Sequence, residues 1–437
     1  MIGEKILILG GGISGLAARY FLCRGRPDRE VVLVEKENRL GGMIATSCEE
    51  GFFFEGGPRT FRGRGNRELL ALIDRLDLRG DLLYAKKGSR RRMVWSGGRM
   101  HTLPRTVPGL FFSPLGRMLF SALLKERKVP PYLGDETIRS FALRRFGREV
   151  ADTFFDPLTL GIYGGDPDKR SILSCFPELK EYEKTYGSLL RGFLKAKRGG
   201  NSSGVSSLFT LRGGMESLIR RLADRGRGEI CCNEEVQKIE VAKGHVVVFT
   251  QRKTRVADRL VCALPFRETA RLLPLKTPET EAFFRGFSAT KFGTDLSVIR
   301  LGFNEGGLLP AGFGYLIPSA EKEPLLGAIF DSSIFPEQDG GRRQSRLTVM
   351  TRPDPAREVG AIIRTIRKHL RIGADPDYVR EATYREAIPP YTPGHARRLR
   401  AFSGVVNDRC PHISFIGNYL SGVSVNACIT LACITPD

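Results

Sequence analysis

The residues whose spacing most suggests chemistry are glycines at the N-terminal end. Gly10, Gly12 and Gly15 satisfy G-x-G-x-x-G, and Glu35 closes the next apolar run. In that pattern the first glycine permits a tight turn and the second lets the backbone approach a pyrophosphate. The third lets helix and strand pack closely. The helix that follows directs unpaired N–H groups at phosphate oxygens, and a carboxylate at Glu35 accepts ribose hydroxyls. The chemistry indicated is dinucleotide binding. Metal catalysis has little support: His101, His245, His369, His395 and His412 stand apart, and no CxxC pair occurs. No Cys–His pair and no carboxylate dyad is evident as a base.

The elements that must position these residues follow from the pattern. "KILIL" (5–9) suits a buried parallel strand, "ISGLAARYFLCR" a helix, and "EVVLVE" (30–35) a second strand, together one βαβ unit. A helix is predicted over 66–78 and a β-hairpin in "RMVWSGGRMHTLP". From roughly 104 to 196 the chain reads as mostly helical, an insertion ending in a polar Gly/Ser stretch. Strands are predicted again at 236–239, 246–249 and 260–263, then through 296–350, and "ISFIG" precedes the final "NYLSGVSVNACITLAC". The patch "GGRRQSR" (340–346) reads as a solvated loop.

A chain of 437 residues predicts two or three domains. Its formal charge of +21 favours an anionic partner: nucleic acid, an acidic membrane surface or a polycarboxylate substrate. The N-terminus enters a strand at once, without a signal peptide, and the nine cysteines show no regular spacing. Reduced thiols in a cytoplasmic setting are therefore expected, with Cys231 and Cys232 as buried thiols at a strand start. No apolar run reaches the length of a spanning helix. The nearest, 108–128, is broken by Pro114 and Arg117 and suits either a core helix or one lying in a membrane interface.

"ENRLGG", with Arg39 and Gly41-Gly42 soon after Glu35, resembles the amine-oxidase-type FAD fold. Over nearly its whole length the chain resembles the oxygen-dependent protoporphyrinogen oxidases. The matching stretches keep family order: "LGGGISGLAA", "VVLVEKENRLGG", "FEGGPRTFR", "RMVWSGGRMHTLP", "ILSCFPEL", "LRGGMESL", "GFGYLIPS", "FDSSIFPEQDG", "IPPYTPGH" and "NYLSGVSVNACI". The resemblance implies a mixed α/β chain with three parts. A Rossmann-like FAD-binding domain takes 1–85, 201–275 and 401–437, and a β-sheet substrate domain takes 86–103 and 276–400. A helical membrane-binding insertion takes 104–200.

It also implies site residues. FAD contacts fall on Gly10, Gly11, Gly12, Ile13, Ser14, Gly15, Glu35, Lys36, Met43, Gly57, Pro58, Arg59, Thr60, Val236, Asn418, Val423, Ser424 and Val425. Many relatives carry an aromatic residue where Met43 stands. Arg59 is expected to face the flavin or the active-site mouth, and Arg62 the solvent. Arg92 matches the family arginine that pairs with a porphyrinogen propionate; Phe313, Gly314 and Leu316 would line the macrocycle, with Met350 opposite. From sequence alone, Arg90-Arg91-Arg92 reads as a solvated face and Phe313, Leu316 and Met350 as core.

The implied reaction removes six hydrogens from protoporphyrinogen IX in three two-electron steps, with FAD as acceptor and O2 reduced to H2O2. The implied partners are the porphyrinogen, O2 and a peripheral contact with the cytoplasmic membrane, without nucleic acid; a homodimer is compatible with this. Coproporphyrinogen III oxidation is the second reading. A flavin amine oxidase and a non-catalytic basic protein binding lipid or nucleic acid rank below it. One departure is Thr430, where relatives often carry an acidic residue. It predicts a short or unusual final helix and weaker FAD retention.

Overall fold

The computed structural model describes residues 3–26, 28–63, 66–104, 107–198, 208–242, 244–288, 295–354 and 356–434. The Gly/Ser-rich stretch read as a boundary lies mostly outside them. The run KILIL becomes the strand Lys5–Leu9, central in a five-stranded parallel sheet. Its neighbours are Glu30–Val34 on one side and Arg259–Cys262 on the other. Glu229–Cys231 and Ile413–Phe415 form the edges. Continuous apolar runs are what a sheet covered on both faces requires. Ile6, Ile8 and Leu33 pack on one side with Leu16, Leu72 and Ile219, while Leu7, Leu9 and Val34 face Val236, Val246 and Val248 on the other. Three distant stretches of chain thus build one sheet.

A second sheet has seven strands, in the order Tyr378–Tyr384, Leu296–Phe303, Ser345–Thr351, Gly327–Ile329, Gly314–Leu316, Arg92–Ser96, Arg99–Thr102. Its pairings are antiparallel except where Gly314–Leu316 meets Arg92–Ser96. That parallel junction brings the predicted hairpin beside a stretch far along the chain. One face packs Met93, Ile299, Tyr315, Leu347 and Val349 against Ile362 and Ile366 of the helix Val359–Leu370. The opposite face meets the hairpin Thr46–Glu49/Phe52–Glu55, so closely that a methyl group at Gly302 would overlap the Phe52 ring.

Between 107 and 198 the described chain is helical. Pro114, read as a break, instead starts the helix Pro114–Glu126 at its first position, with the Ser113 hydroxyl accepting from the Gly116 N–H at 3.0 Å. Thr137 caps Ile138–Phe146 in the same way, and Gly164 and Gly187 end two helices in the left-handed conformation. Beside an apolar cluster of Ile138, Phe141, Ile172 and Leu189, the bundle buries an ionic one. Arg145, fully buried, is held by Glu126 at 3.1 Å and Glu183 at 2.7 Å, and Lys180 meets Glu183 at 2.8 Å.

Two local readings are corrected. Residues 340–346 are not all solvated: Arg342 and Arg343 are exposed, but Arg346 is buried at the start of a strand. There it pairs with Asp339 at 2.5 Å and donates to the Phe53 carbonyl, because the hairpin covers this end of the sheet. Cys231 ends its strand rather than starting one, and Cys231 and Cys232 are half-buried.

Candidate active site

The glycine turn adopts the geometry its spacing predicts. Gly10 has φ +100, a conformation that favours glycine. A side chain at Gly15 would overlap the Gly10 carbonyl, so helix and strand touch there. At Gly12 the space a Cβ would fill is open, with no atom within 4 Å. Gly12 is also the N-cap of the helix Ile13–Gly25 and offers no side-chain cap, so the first N–H groups of that helix stay available to a phosphate. The Glu35 carboxylate is oriented beside this opening by the N–H groups of Gly11 at 2.7 Å and Glu37 at 2.9 Å. An ionised carboxylate keeps further lone pairs for ribose hydroxyls.

The C-terminal stretch converges on the same place. The helix Val425–Ile434 packs along Ile13–Gly25, and the Cys428 thiol lies against the hydroxyls of Ser14 and Ser421. Ser424 accepts from the Ala427 N–H at 3.1 Å, while Val425 is buried and Val423 half-buried. Asn426 Oδ1 and Thr430 Oγ1 are buried without a hydrogen-bond partner among the described residues. The helix runs to Ile434, four residues past Thr430. The Asn418 carbonyl accepts from the Tyr391 hydroxyl.

The turn Gly57–Thr60, expected to lie against the flavin, follows the strand Phe52–Glu55. A methyl at Gly57 would overlap the Met43 carbonyl, so this turn lies flat on the 43–45 segment. Met43 is exposed, as is Lys36. Arg39 holds that loop by donating to the carbonyls of Gly42, at 2.6 Å, and Ile44, at 3.2 Å. Pro58 and Thr60 are half-buried. Arg59 binds Asp331 at 3.0 Å, and Asp331 accepts from Thr348 at 2.7 Å, so this arginine ties the turn to the seven-stranded sheet. Arg62 is exposed, as expected. The Val236 side chain packs in the core with Leu9 and Val34, leaving its backbone for any cofactor contact.

Glu55, just before the turn, is buried with no cation bonded to it among the described residues. Burial pushes its carboxyl up to about 7, against the lowering by the Met215 N–H at 2.8 Å and the Thr46 hydroxyl at 2.9 Å. Sequence reasoning passed over this residue, and a lone glutamate at a strand end gave no signal.

Register brings the residues expected to meet the substrate together. Arg92 lies level with Gly314, Ile329 and Thr348, and the next row on that face is Val94, Leu316, Gly327 and Met350. Directly paired residues share a face and alternate along the strand, so Arg92, Gly314, Leu316 and Met350 occupy one surface. The Arg92 guanidinium stacks on the Phe313 ring, 3.8 Å from its centre, and donates to the Ser89 carbonyl at 3.0 Å. Cation–π stacking pre-positions the charge. Leu316 reaches Gly161 of the helix Asp156–Tyr163, so the helical bundle walls this surface.

These features fit an FAD: an uncapped helix start, an open Gly12, an oriented ribose carboxylate, a flat second turn and an unpaired Asn426 oxygen at the second helix. Comparison with known proteins agrees. The family described as flavin containing amine oxidoreductase matches residues 13–435. The chain is 33% identical to the Homo sapiens protoporphyrinogen oxidase, covering 98% of this chain and 96% of the relative. It is 23% identical to the Staphylococcus aureus coproporphyrinogen III oxidase, covering 98% and 97%. A provisionally named protoporphyrinogen oxidase from Exiguobacterium sp. 255-15 has the same fold, with a TM-score of 0.83 at 23% identity over 99% and 98% of the two chains. The chain belongs to the flavin-containing amine oxidoreductases and, among them, to the protoporphyrinogen oxidase family.

Proposed function

We propose that the chain oxidises protoporphyrinogen IX to protoporphyrin IX, with three O2 reduced to three H2O2 for the six hydrogens removed. The observation that carries this is the in-register surface of Arg92, Gly314, Leu316 and Met350, closed by the helical bundle. FAD, when bound, supplies the two-electron acceptor through which the electrons reach O2. The protein's part is position. Gly314 adds no side chain to the floor, so a flat macrocycle can lie close to the strand. Leu316 and Met350 exclude water beneath it, and Arg92 holds a propionate by charge-assisted hydrogen bonds. Fixing that carboxylate selects which bridging carbon faces the oxidant.

The test is anaerobic mixing of the flavin-loaded protein with protoporphyrinogen IX and with coproporphyrinogen III, following flavin bleaching. Faster bleaching by protoporphyrinogen is expected; bleaching by neither substrate overturns the reading. Arg92→Ala is expected to raise KM about tenfold. Unchanged kinetics would remove Arg92 from its role. The second reading, coproporphyrinogen III, draws on the +21 charge and the 23% identity to the Staphylococcus aureus enzyme.

A peripheral membrane contact belongs to the same proposal. The bundle exposes Phe111, Phe112, Leu133, Phe193 and Leu194, with Phe112 81% and Leu133 74% accessible. Exposed Arg127, Lys128 and Lys195 lie on the same bundle, and an apolar face with basic neighbours suits an anionic interface. No helix among the described residues is long and apolar enough to cross a membrane.

A further inference from the structure

The face of the seven-stranded sheet opposite Arg92, Gly314 and Leu316 holds a relay of polar and aromatic side chains. Tyr315 lies between Gly314 and Leu316, so alternation turns its side chain toward the helix Val359–Leu370. Its hydroxyl meets His369 Nδ1 at 3.0 Å, and His369 Nε2 meets the Glu323 carboxylate at 3.3 Å. Trp95, the one tryptophan of the chain, stacks on the His369 ring, with centroids 3.8 Å apart. Tyr315 and His369 are buried, and Glu323 is half-buried in the wall of a groove of about 570 Å³. His369 therefore touches three pieces of chain: the strand of Arg92, the strand of Gly314 and Leu316, and the connection that follows it. That connection is tied at two further points. The Ser96 hydroxyl donates to Glu321 at 2.8 Å, and the Ser319 N–H donates to Asp156 of the bundle at 2.7 Å.

The relay is complete in one protonation state. A carboxylate only accepts, so Nε2 carries the ring proton toward Glu323. Nδ1 of the neutral imidazole is then an acceptor, and the Tyr315 hydroxyl donates to it. A second proton, on Nδ1, would set donor against donor, and the Tyr315 hydroxyl has no other hydrogen-bond partner among the described residues. The titratable groups facing the ring are Tyr315 from the sheet, Glu323 from the connection and Lys368 from its own helix. Burial lowers the His369 pKa from its ordinary 6.5; Glu323 opposes this and Lys368 adds to it. The neutral relay thus contributes fully above 6.5 and is lost as pH falls through the lowered value. The strand it holds is short: three residue pairs join Gly314–Leu316 to Arg92–Ser96. So brief a ladder leaves much of the strand's position to its side-chain anchors.

Resting on the porphyrinogen reading above, we infer that neutral His369 is a positioning residue for the oxidation, acting from behind the sheet. Through Tyr315, Trp95 and Glu323 it keeps Gly314 and Leu316 level with Arg92, so the floor under the macrocycle and the propionate anchor hold their spacing. His369 touches no substrate. Taking up a proton releases Tyr315 and loosens the floor strand, so substrate binding weakens in acid.

The experiment measures KM and kcat of the flavin-loaded protein for protoporphyrinogen IX from pH 5 to 8, with Trp95 emission followed over the same range. Tyr315→Phe removes one hydroxyl and keeps the ring. At pH 8 it is expected to raise KM about fivefold, the size of one buried hydrogen bond, with kcat unchanged. In the unsubstituted protein KM should rise and Trp95 emission fall together as pH drops, because an imidazolium stacked on an indole quenches it. In His369→Gln the emission change should vanish. In Tyr315→Phe the emission change should persist while KM no longer follows it. A Tyr315→Phe KM within about twofold of the unsubstituted value at pH 8 would overturn the positioning role and leave the porphyrinogen reading intact. So would an acid rise in KM that survives in that variant. Emission flat across the whole range would overturn the link to the His369 proton. An unsubstituted protein whose flavin is bleached by neither porphyrinogen overturns both readings.

Discussion

The parallel sheet and the helical bundle are built in opposite senses. Around the strand Lys5–Leu9 the interior is mainly apolar, with Ile6, Ile8, Leu16 and Leu33 fully buried and no fully buried ion pair beside them among the described residues. In the bundle Arg145, Glu126 and Glu183 are buried as deeply as the apolar Ile138, Phe141 and Ile172, while Phe112 and Leu133 are exposed. An apolar interior is stabilised by leaving water, so it works wherever the outside is water. An ionic centre contributes less net stability, because desolvation offsets much of the Coulomb gain. What it supplies is fixed geometry that does not depend on hiding every apolar side chain. The bundle can therefore spend its phenylalanines and leucines on the surface, which is where the proposed membrane contact needs them.

The sharpest way to break this contrast is Glu183→Ala, which leaves Arg145 and Lys180 buried beside a missing charge. A loss of about 3–5 kcal/mol is expected, seen as an early unfolding transition of the bundle before flavin fluorescence is released from the sheet. A single unshifted transition would mean that the ionic centre is not what holds the bundle.

Acid should separate the two regions next. Burial raises the Glu183 carboxyl, but Lys180, the Tyr132 N–H, Arg145 and Arg144 outweigh it and hold it at about 2. Its contribution is present above the ordinary value of 4.5 and fades as pH falls toward 2. Glu55 has the opposite sign. With its value raised to about 7, its contribution is fully present below 4.5 and is lost as pH rises through 7. Hydrogen exchange across pH 3–8 should show the bundle loosening at the acid end and the hairpin Thr46–Glu55 loosening at the neutral end. Parallel behaviour of the two would erase the distinction. The smallest effect on stability is expected from Phe112→Ser with Leu133→Ser: a change within about 0.5 kcal/mol, yet clearly weaker sedimentation with anionic vesicles. Equal sedimentation would argue against the outward apolar face as a docking surface.

Much of the nucleotide cradle was legible because its physics is local. Gly10, Gly12, Gly15 and Glu35 act through backbone conformation and short-range approach, which spacing alone encodes. The substrate surface was only half legible. Motif likeness pointed to Arg92, Gly314, Leu316 and Met350, but their shared face depends on three strand registers that no local pattern fixes. The Arg59–Asp331 pair spans stretches on two sheets, and Arg346 looked like one more member of a polar run until a neighbouring hairpin covered it. The buried Arg145–Glu183–Lys180 cluster was illegible for a similar reason. Charged residues on amphipathic helices read as solvent-facing until the helices are assembled.

The parallel sheet joins strands from residues 5–9, 259–262 and 413–415, which gives the cofactor site a place in time as well as in space. During synthesis the glycine turn and Glu35 emerge long before the edge strand Ile413–Phe415 and the helix Val425–Ile434 that complete their surroundings. Such long-range pairings form late because closing a large loop precedes any gain from the contact. Flavin capture is then a signal that synthesis has passed the helix Val425–Ile434, and a yellow protein is one whose chain has been made at least that far.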